Sequence, residues 1–248
     1  MDRMIYIAMT GAIHTMNQQT TTAHNLANVT TTGFRSQIDA FSAIPVISQG
    51  SPTRTFVVDS EVATDFELGA IQQTGRILDV ALLTKGWLAI EMPDGTEAYT
   101  RHGSLVATPE GMLQTREGYN VLGAEGGPIF LPIDLPYTIE SDGTVSSYDD
   151  TTTPRTVMLL GQLRLVNPPE ELLVRGGDGL FRTTDGAFVP VDPAVRIVNG
   201  ALESSNVNVA ETLVSMISLQ RQYELQLRLI SSADDNANRA TGILTLPG

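Results

Sequence analysis

The sequence predicts an α+β chain in which coiled-coil-like helices at the two termini pair around a central all-β domain of barrel or sandwich type. Three observations predict it. Apolar residues recur at steps of four and three near both ends. Short apolar runs broken by Gly, Pro and Asp-Gly fill the middle. From Met4 to Phe34 there is no Asp, Glu, Lys or Arg, whereas a helix exposed on one side normally carries charge there.

The first zone, 1–35, holds the N-terminal helix and a turn. Ile5, Met9, Ala12, Met16, Gln19, Ala23 and Leu26 form a heptad seam interrupted only by Gln19. Thr20-Thr21-Thr22 has poor helix propensity, so this helix needs partners to order it. It ends near Asn28, and Gly33 is free to take the positive φ of a turn, with Phe34 as an apolar anchor beyond it. Residues 36–70 carry Pro45 and Gly50-Ser51-Pro52 and no sustained period, and are read as an extended connector.

The second zone, 71–201, is β. Trp87-Leu88-Ala89-Ile90-Glu91-Met92 is a strand ahead of the turn Pro93-Asp94-Gly95, and Asp142-Gly143 and Asp185-Gly186 are hairpin-type turns. Val157, Leu159, Leu163 and Leu165 are placed on one face of a long strand containing Gly161. The third zone, 202–248, is the C-terminal helix, capped by Asn208 with Glu211 in the third position. Its seam is Val209, Leu213, Met216, Tyr223, Leu227, Ile230, Ala237 and Leu244, with Gln220, Asp234 and Thr241 in the gaps.

Composition narrows the function. Hydrophobic residues are 42 % of the 248, enough for a packed core. Charged residues are only 17 %, against about 25 % in ordinary globular chains, which leaves fewer devices for staying monomeric. The formal net charge of −13 argues against nucleic acid and anionic lipid as partners, because both are held by Lys and Arg. The absence of cysteine excludes disulfides, thiolate metal sites and cysteine nucleophiles. No basic start and apolar run marks a cleaved secretory signal, and no run is long enough to span a membrane.

Residues that could carry chemistry are scattered. His14, His24 and His102 have neither metal-ligand spacing nor companion carboxylates, and His14 and His24 are read as polar-face residues. Asp149-Asp150 and Glu170-Glu171 sit in turn-rich stretches and are read as solvated. Gly123-Ala124-Glu125-Gly126-Gly127 and Gly176-Gly177-Asp178-Gly179 each lead into strands, not into the helix N-terminus that a phosphate cradle needs. The expectation is a non-enzymatic chain with no catalytic residue, metal, cofactor or small-molecule substrate.

Several segments carry a resemblance. Ala23-His24-Asn25-Leu26-Ala27-Asn28 and Thr32-Gly33-Phe34-Arg35 at one end, and Leu202-Glu203-Ser204-Ser205-Asn206-Val207, Met216-Ile217 and Arg221-Gln222-Tyr223-Glu224 at the other, resemble the two signatures of the flagellar axial proteins, the rod, hook and hook-associated subunits. Arg76 to Leu82, Gly86 to Ile90, Tyr99-Thr100-Arg101 and Gly111-Met112-Leu113 resemble the β domain of that family. His24 departs from it, since another Asn often precedes the position of Asn25. Within the family, the opening Met1 to Met9 and the chain length are most similar to the proximal-rod subunits. Distal-rod and other axial subunits are the alternative, and a hydrolase or ligand-binding module is a distant one.

The resemblance implies a structural subunit of the flagellar basal-body rod, exported by the flagellar secretion apparatus without a cleaved signal. It implies assembly with itself and other rod subunits in the periplasm, as a shaft that transmits motor torque. The implied assembly residues are Ile5, Met9, Ala12, Met16, Ala23, Asn25, Leu26, Asn28, Gly33 and Phe34 at the N-terminal end, and Asn206, Val209, Leu213, Met216, Tyr223, Leu227 and Ile230 at the C-terminal end.

Overall fold

The computed structural model describes residues 2–45, 55–132, 135–149 and 156–244. Gly50-Ser51-Pro52 and Asp150 lie outside the described residues. The chain is α+β, with one long helix near each terminus and a largely β centre. It divides into two compact units.

The first unit contains α1 (Asp2–Ala27), α2 (Val209–Leu244) and a long antiparallel hairpin, β1 (Gln37–Pro45) with β2 (Thr55–Thr64). The hairpin occupies the segment read as an extended connector. α1 and α2 pack on each other and run antiparallel: Gly11 lies against the Gln226 side chain, and the Gln19 amide donates to Gln220 Oε1 at 3.1 Å. Asn208 caps α2, its Oδ1 accepting from the Ala210 and Glu211 N–H groups. The threonines of α1 solve their own polar problem. Thr10, Thr15, Thr20 and Thr22 each donate the hydroxyl to the carbonyl four residues back.

The second unit holds 30–35 and 66–206. Its main sheet has eight strands, and Trp87–Glu91 lies inside it, paired with Glu97–Thr100, Asn120–Val121 and Leu165–Val166. That strand is apolar without alternation because both of its faces are buried. Leu88 and Ile90 join one hydrophobic cluster, with Leu105, Leu113 and Leu163, whereas Trp87 and Ala89 join another, with Tyr99, Val166 and Phe181. Two short ladders complete this unit: Val80–Leu82 with Ile197–Asn199, and Ile71–Gln73 with Ala201–Glu203.

One strand departs from its pattern. Thr156–Gln162 ends before Leu163, and Leu165–Val166 is a separate strand. Val157 and Leu159 are exposed, while Leu163 and Leu165 are buried. A bulge interrupts the ladder: Val145 faces Gly161 and the next pair is Ser146 with Leu159, so Leu160 is skipped.

Candidate assembly interface

In α1 the covered residues recur at Ile5, Ala8, Ala12, Thr15, Gln19, Thr22 and Leu26, in steps of three and four. Ile5, Ala12, Gln19 and Leu26 belong to the predicted seam. The intervening line is shifted by one residue, to Ala8, Thr15 and Thr22, while Met9, Met16 and Ala23 stay exposed. α2 behaves the same way. Thr212, Met216, Leu219, Tyr223, Gln226, Ile230, Ala233 and Ala237 are covered, and Val209, Leu213 and Leu227 are exposed. On α1 the covered line includes the small Ala8 and Ala12, and small residues let two helices approach closely.

The remaining apolar side chains form further stripes. Tyr6, Met9, Ile13 and Met16 repeat at helical spacing on an uncovered face of α1, and Val214, Leu225 and Leu229 do so on α2. A third face of α1 meets the hairpin. His14 Nε2 lies 3.1 Å from the Val57 carbonyl and its ring packs edge-on against Phe41, and Thr21 donates to Asp39 at 2.7 Å. Asn25 acts as a piece of backbone: its Nδ2 donates to the Gln37 carbonyl at 2.8 Å and its Oδ1 accepts from the Gln37 N–H at 2.9 Å. Asn28 closes α1, its side-chain amide donating to the His24 carbonyl.

Within the second unit the turn after α1 is fixed by backbone. Gly33 has φ of +70° and donates its N–H to the Glu203 carbonyl at 2.8 Å. Phe34 is buried beneath the Arg175 guanidinium, 4.4 Å from its ring centroid. Asn206 donates its N–H to the Phe34 carbonyl and its side-chain amide to the Glu67 carbonyl.

Sequence reasoning gave no role to the charges beside these residues. Arg35, Arg101 and Glu203 are buried together. Glu203 Oε1 accepts from Arg35 Nη2 at 2.7 Å and from the Gly69 N–H at 2.8 Å, and Oε2 accepts from Arg101 Nε at 2.7 Å. The other Arg101 nitrogens donate to the carbonyls of Leu82, Thr84 and Gly86. Burial pushes the Arg101 pKa down, against the pull of Glu203, yet a guanidinium stays charged at any physiological pH. The signal that could have found this cluster is position: each of the three lies in one of the quoted segments, Thr32 to Arg35, Tyr99 to Arg101 and Leu202 to Val207.

Among the described residues no group of three or more His, Asp or Glu is placed to hold a metal, and no helix is long and apolar enough to cross a membrane. His102 lies instead 2.9 Å from the Thr32 hydroxyl and 3.6 Å from Glu117.

Three family models match. Residues 5–35 match the flagella basal body rod protein model, 81–147 the flagellar hook protein FlgE/F/G D1 domain, and 198–243 the flagellar basal body rod FlgEFG protein C-terminal model. The chain is 44 % identical to the flagellar basal-body rod protein FlgF of Escherichia coli, over 99 % of this chain and 100 % of that one. It is 43 % identical, over the same shares, to FlgF of Salmonella typhimurium. The flagellar basal-body rod protein FlgG of Agrobacterium fabrum is 30 % identical over 95 % of this chain and 97 % of its own.

Proposed function

The chain belongs to the flagellar basal-body rod protein family, and from that premise we propose that it is a structural, non-enzymatic subunit of the proximal rod, serving flagellar motility. Its partners are further copies of itself and neighbouring rod subunits. Its route is the flagellar export apparatus, without a cleaved signal, to the periplasmic rod. The terminal helices pair in a coiled-coil-like manner and form the polymerising layer, while the β region makes a barrel- or sandwich-like body around the doubly buried strand Trp87–Glu91.

The observation that carries this reading is the second apolar stripe on helices that already have a covered seam. Tyr6, Met9, Ile13 and Met16 are exposed among the described residues, and Leu213 and Leu227 flank the α2 seam in the same state. Covering such stripes is favourable at roughly 25 cal/mol per Å² of apolar surface. The polar groups beside them cost little to cover, because the Thr10, Thr20 and Thr22 hydroxyls already donate within the helix. Ala23 and Val209 extend the proposed helical surface, and Ile5, Ala12, Leu26, Met216, Tyr223 and Ile230 hold the two helices together beneath it. Asn25, Asn28, Gly33, Phe34 and Asn206 fix its ends.

The test is Leu227→Asp, introduced into a strain lacking the chain. Leu227 is 45 % exposed, so the isolated subunit should melt as the parent does. In an assembled rod the carboxylate would be buried without a partner, and swimming should be lost. Normal swimming with the variant would remove this helix face from the assembly surface.

A further inference from the structure

We propose that the strand Thr156–Gln162 of one subunit pairs edge to edge with the strand Ile71–Gln73 of a second copy, a contact that rests on the polymer proposed above and joins the β units of neighbouring chains in it. Thr156–Gln162 is the outer strand of a three-stranded sheet, and among the described residues no strand lies on its far side. Val157, Met158 and Leu159 are 68, 57 and 70 % exposed, so apolar side chains stand in solvent on both faces of the strand. Proteins blunt such an edge with charge or proline, and residues 156–163 contain neither. The backbone is free as well. Tyr148 donates its N–H to the Pro136 carbonyl, away from Thr156–Gln162, so the residue opposite it, Val157, turns its own N–H and carbonyl outward. Leu159, two residues on, does the same.

The matching edge lies on the same unit. Ile71–Gln73 pairs with Ala201–Glu203 alone, and all three of its residues are exposed. Thr74 donates its N–H to the Gly200 carbonyl and Ala70 accepts from the Ser204 N–H, so alternation turns the backbone of Ile71 and Gln73 outward. Residues 68–75 are uncharged, which decides the match: a net charge of −13 sets most faces of two copies against each other, but not two neutral edges. Other edges fit less well. β1 carries Asp39 and β2 carries Glu61, Leu173–Arg175 ends in a guanidinium, and the Ile139 carbonyl of Tyr137–Ile139 already accepts from Asn199. In the antiparallel register Val157 faces Gln73 and Leu159 faces Ile71, each pair exchanging both of its N–H···O bonds, with Met158 opposite Gln72. Leu159 and Ile71 are then an apolar cross-strand pair. Because the two edges differ, the contact is head-to-tail and repeats along a polymer instead of closing a dimer. So short a ladder buries well below the roughly 1,000 Å² of a stable interface, so it forms only where the terminal helices already hold copies together.

The chain has no cysteine, so introduced thiols report without background from it. A strain lacking the chain would receive two differently tagged versions together, Met158→Cys in one and Gln72→Cys in the other. Both positions are exposed, so neither change disturbs a core. Isolated basal bodies would be treated with a short bis-maleimide, whose span tolerates a slip of register, and blotted for both tags. A dimer carrying both tags is expected from the two versions together and from neither alone. Adding Leu159→Lys to the Met158→Cys version charges the edge and should remove the dimer while both versions remain in the basal bodies. Both versions present in basal bodies with no doubly tagged dimer would overturn the pairing and leave the rod function standing, and so would cross-linking of the Met158→Cys version to itself. Absence of the parent chain from basal bodies would overturn the rod function, and the pairing with it.

Discussion

Arg35 and Glu203 stand 168 residues apart in sequence and form a buried ion pair at 2.7 Å, with 1 % of each side chain exposed. A pair of this kind is weak evidence for stability as a whole, because desolvation offsets attraction. Removing one partner is another matter. Glu203→Ala strands two guanidinium groups and the Gly69 N–H, and should destabilise the β unit by about 3–5 kcal/mol. Urea unfolding followed through Trp87 measures it. A loss below about 1 kcal/mol would mean that solvent reaches the cluster.

Gly33 tests the turn. With φ at +70°, an added Cβ would lie 2.5 Å from the Arg101 carbonyl carbon. Gly33→Ala therefore meets strain of about 1–3 kcal/mol from the backbone angle, with a clash against main chain in addition. Gly118 has φ of +93° and open space around it, so Gly118→Ala isolates the angle. The melting temperature should fall further for Gly33→Ala, and equal falls would show that the Arg101 segment yields.

Asn25 carries the contact of α1 with β1. Asn25→Ala frees both the N–H and the carbonyl of Gln37, at a cost of about 1–3 kcal/mol. Faster hydrogen exchange at the Gln37 amide is the expected signature. Asn25→Asp can accept from the N–H but cannot donate to the carbonyl, so it should not restore protection.

What the sequence could and could not disclose follows from how each feature is encoded. Terminal helices were legible because the apolar period holds over long runs, and in α1 the lack of charge agrees with it. Half of each seam was legible too: Ile5, Ala12, Gln19 and Leu26, and Met216, Tyr223, Ile230 and Ala237, lie where the four-three steps put them. The other half was not, because apolarity marks Met9, Met16, Leu213 and Leu227 without saying what covers them, and close helix packing selects Ala8, Thr15 and Ala233 instead. The bulge at Leu160 leaves no signal in composition. The Arg35–Glu203–Arg101 cluster was hidden for a different reason. A charged residue reads as solvated until the fold brings its partner from a distant segment.

Acid should loosen the hairpin turns of the β unit before its core. The Arg182 guanidinium donates to Asp178 and holds its carboxyl below the ordinary 3.8, and the Thr144 N–H does the same for Asp142. A carboxyl whose pKa is lower in the folded chain stabilises it above the unfolded value, and that contribution is lost as pH falls toward and below the folded one. The window therefore lies below about pH 4. Asp178→Asn should flatten the decline of melting temperature in that window and leave the slope near neutral pH unchanged. An unchanged acid limb would place the sensitivity in other carboxylates.

Salt distinguishes how the proposed polymer is held. From Met4 to Phe34 the chain carries no formal charge, so contacts made by α1 rest on apolar packing and neutral hydrogen bonds. Screening over about 8 Å at physiological ionic strength acts on charges and finds few there. α2 carries the pair Glu224 and Arg228, yet both are exposed and 4.0 Å apart, a geometry that contributes little. Rods in isolated basal bodies should therefore survive molar sodium chloride at neutral pH, counted by negative-stain microscopy, and come apart when acid protonates carboxylates at subunit contacts. Dissociation by salt alone would show that charge pairs, and not the apolar stripes of α1 and α2, hold the subunits together.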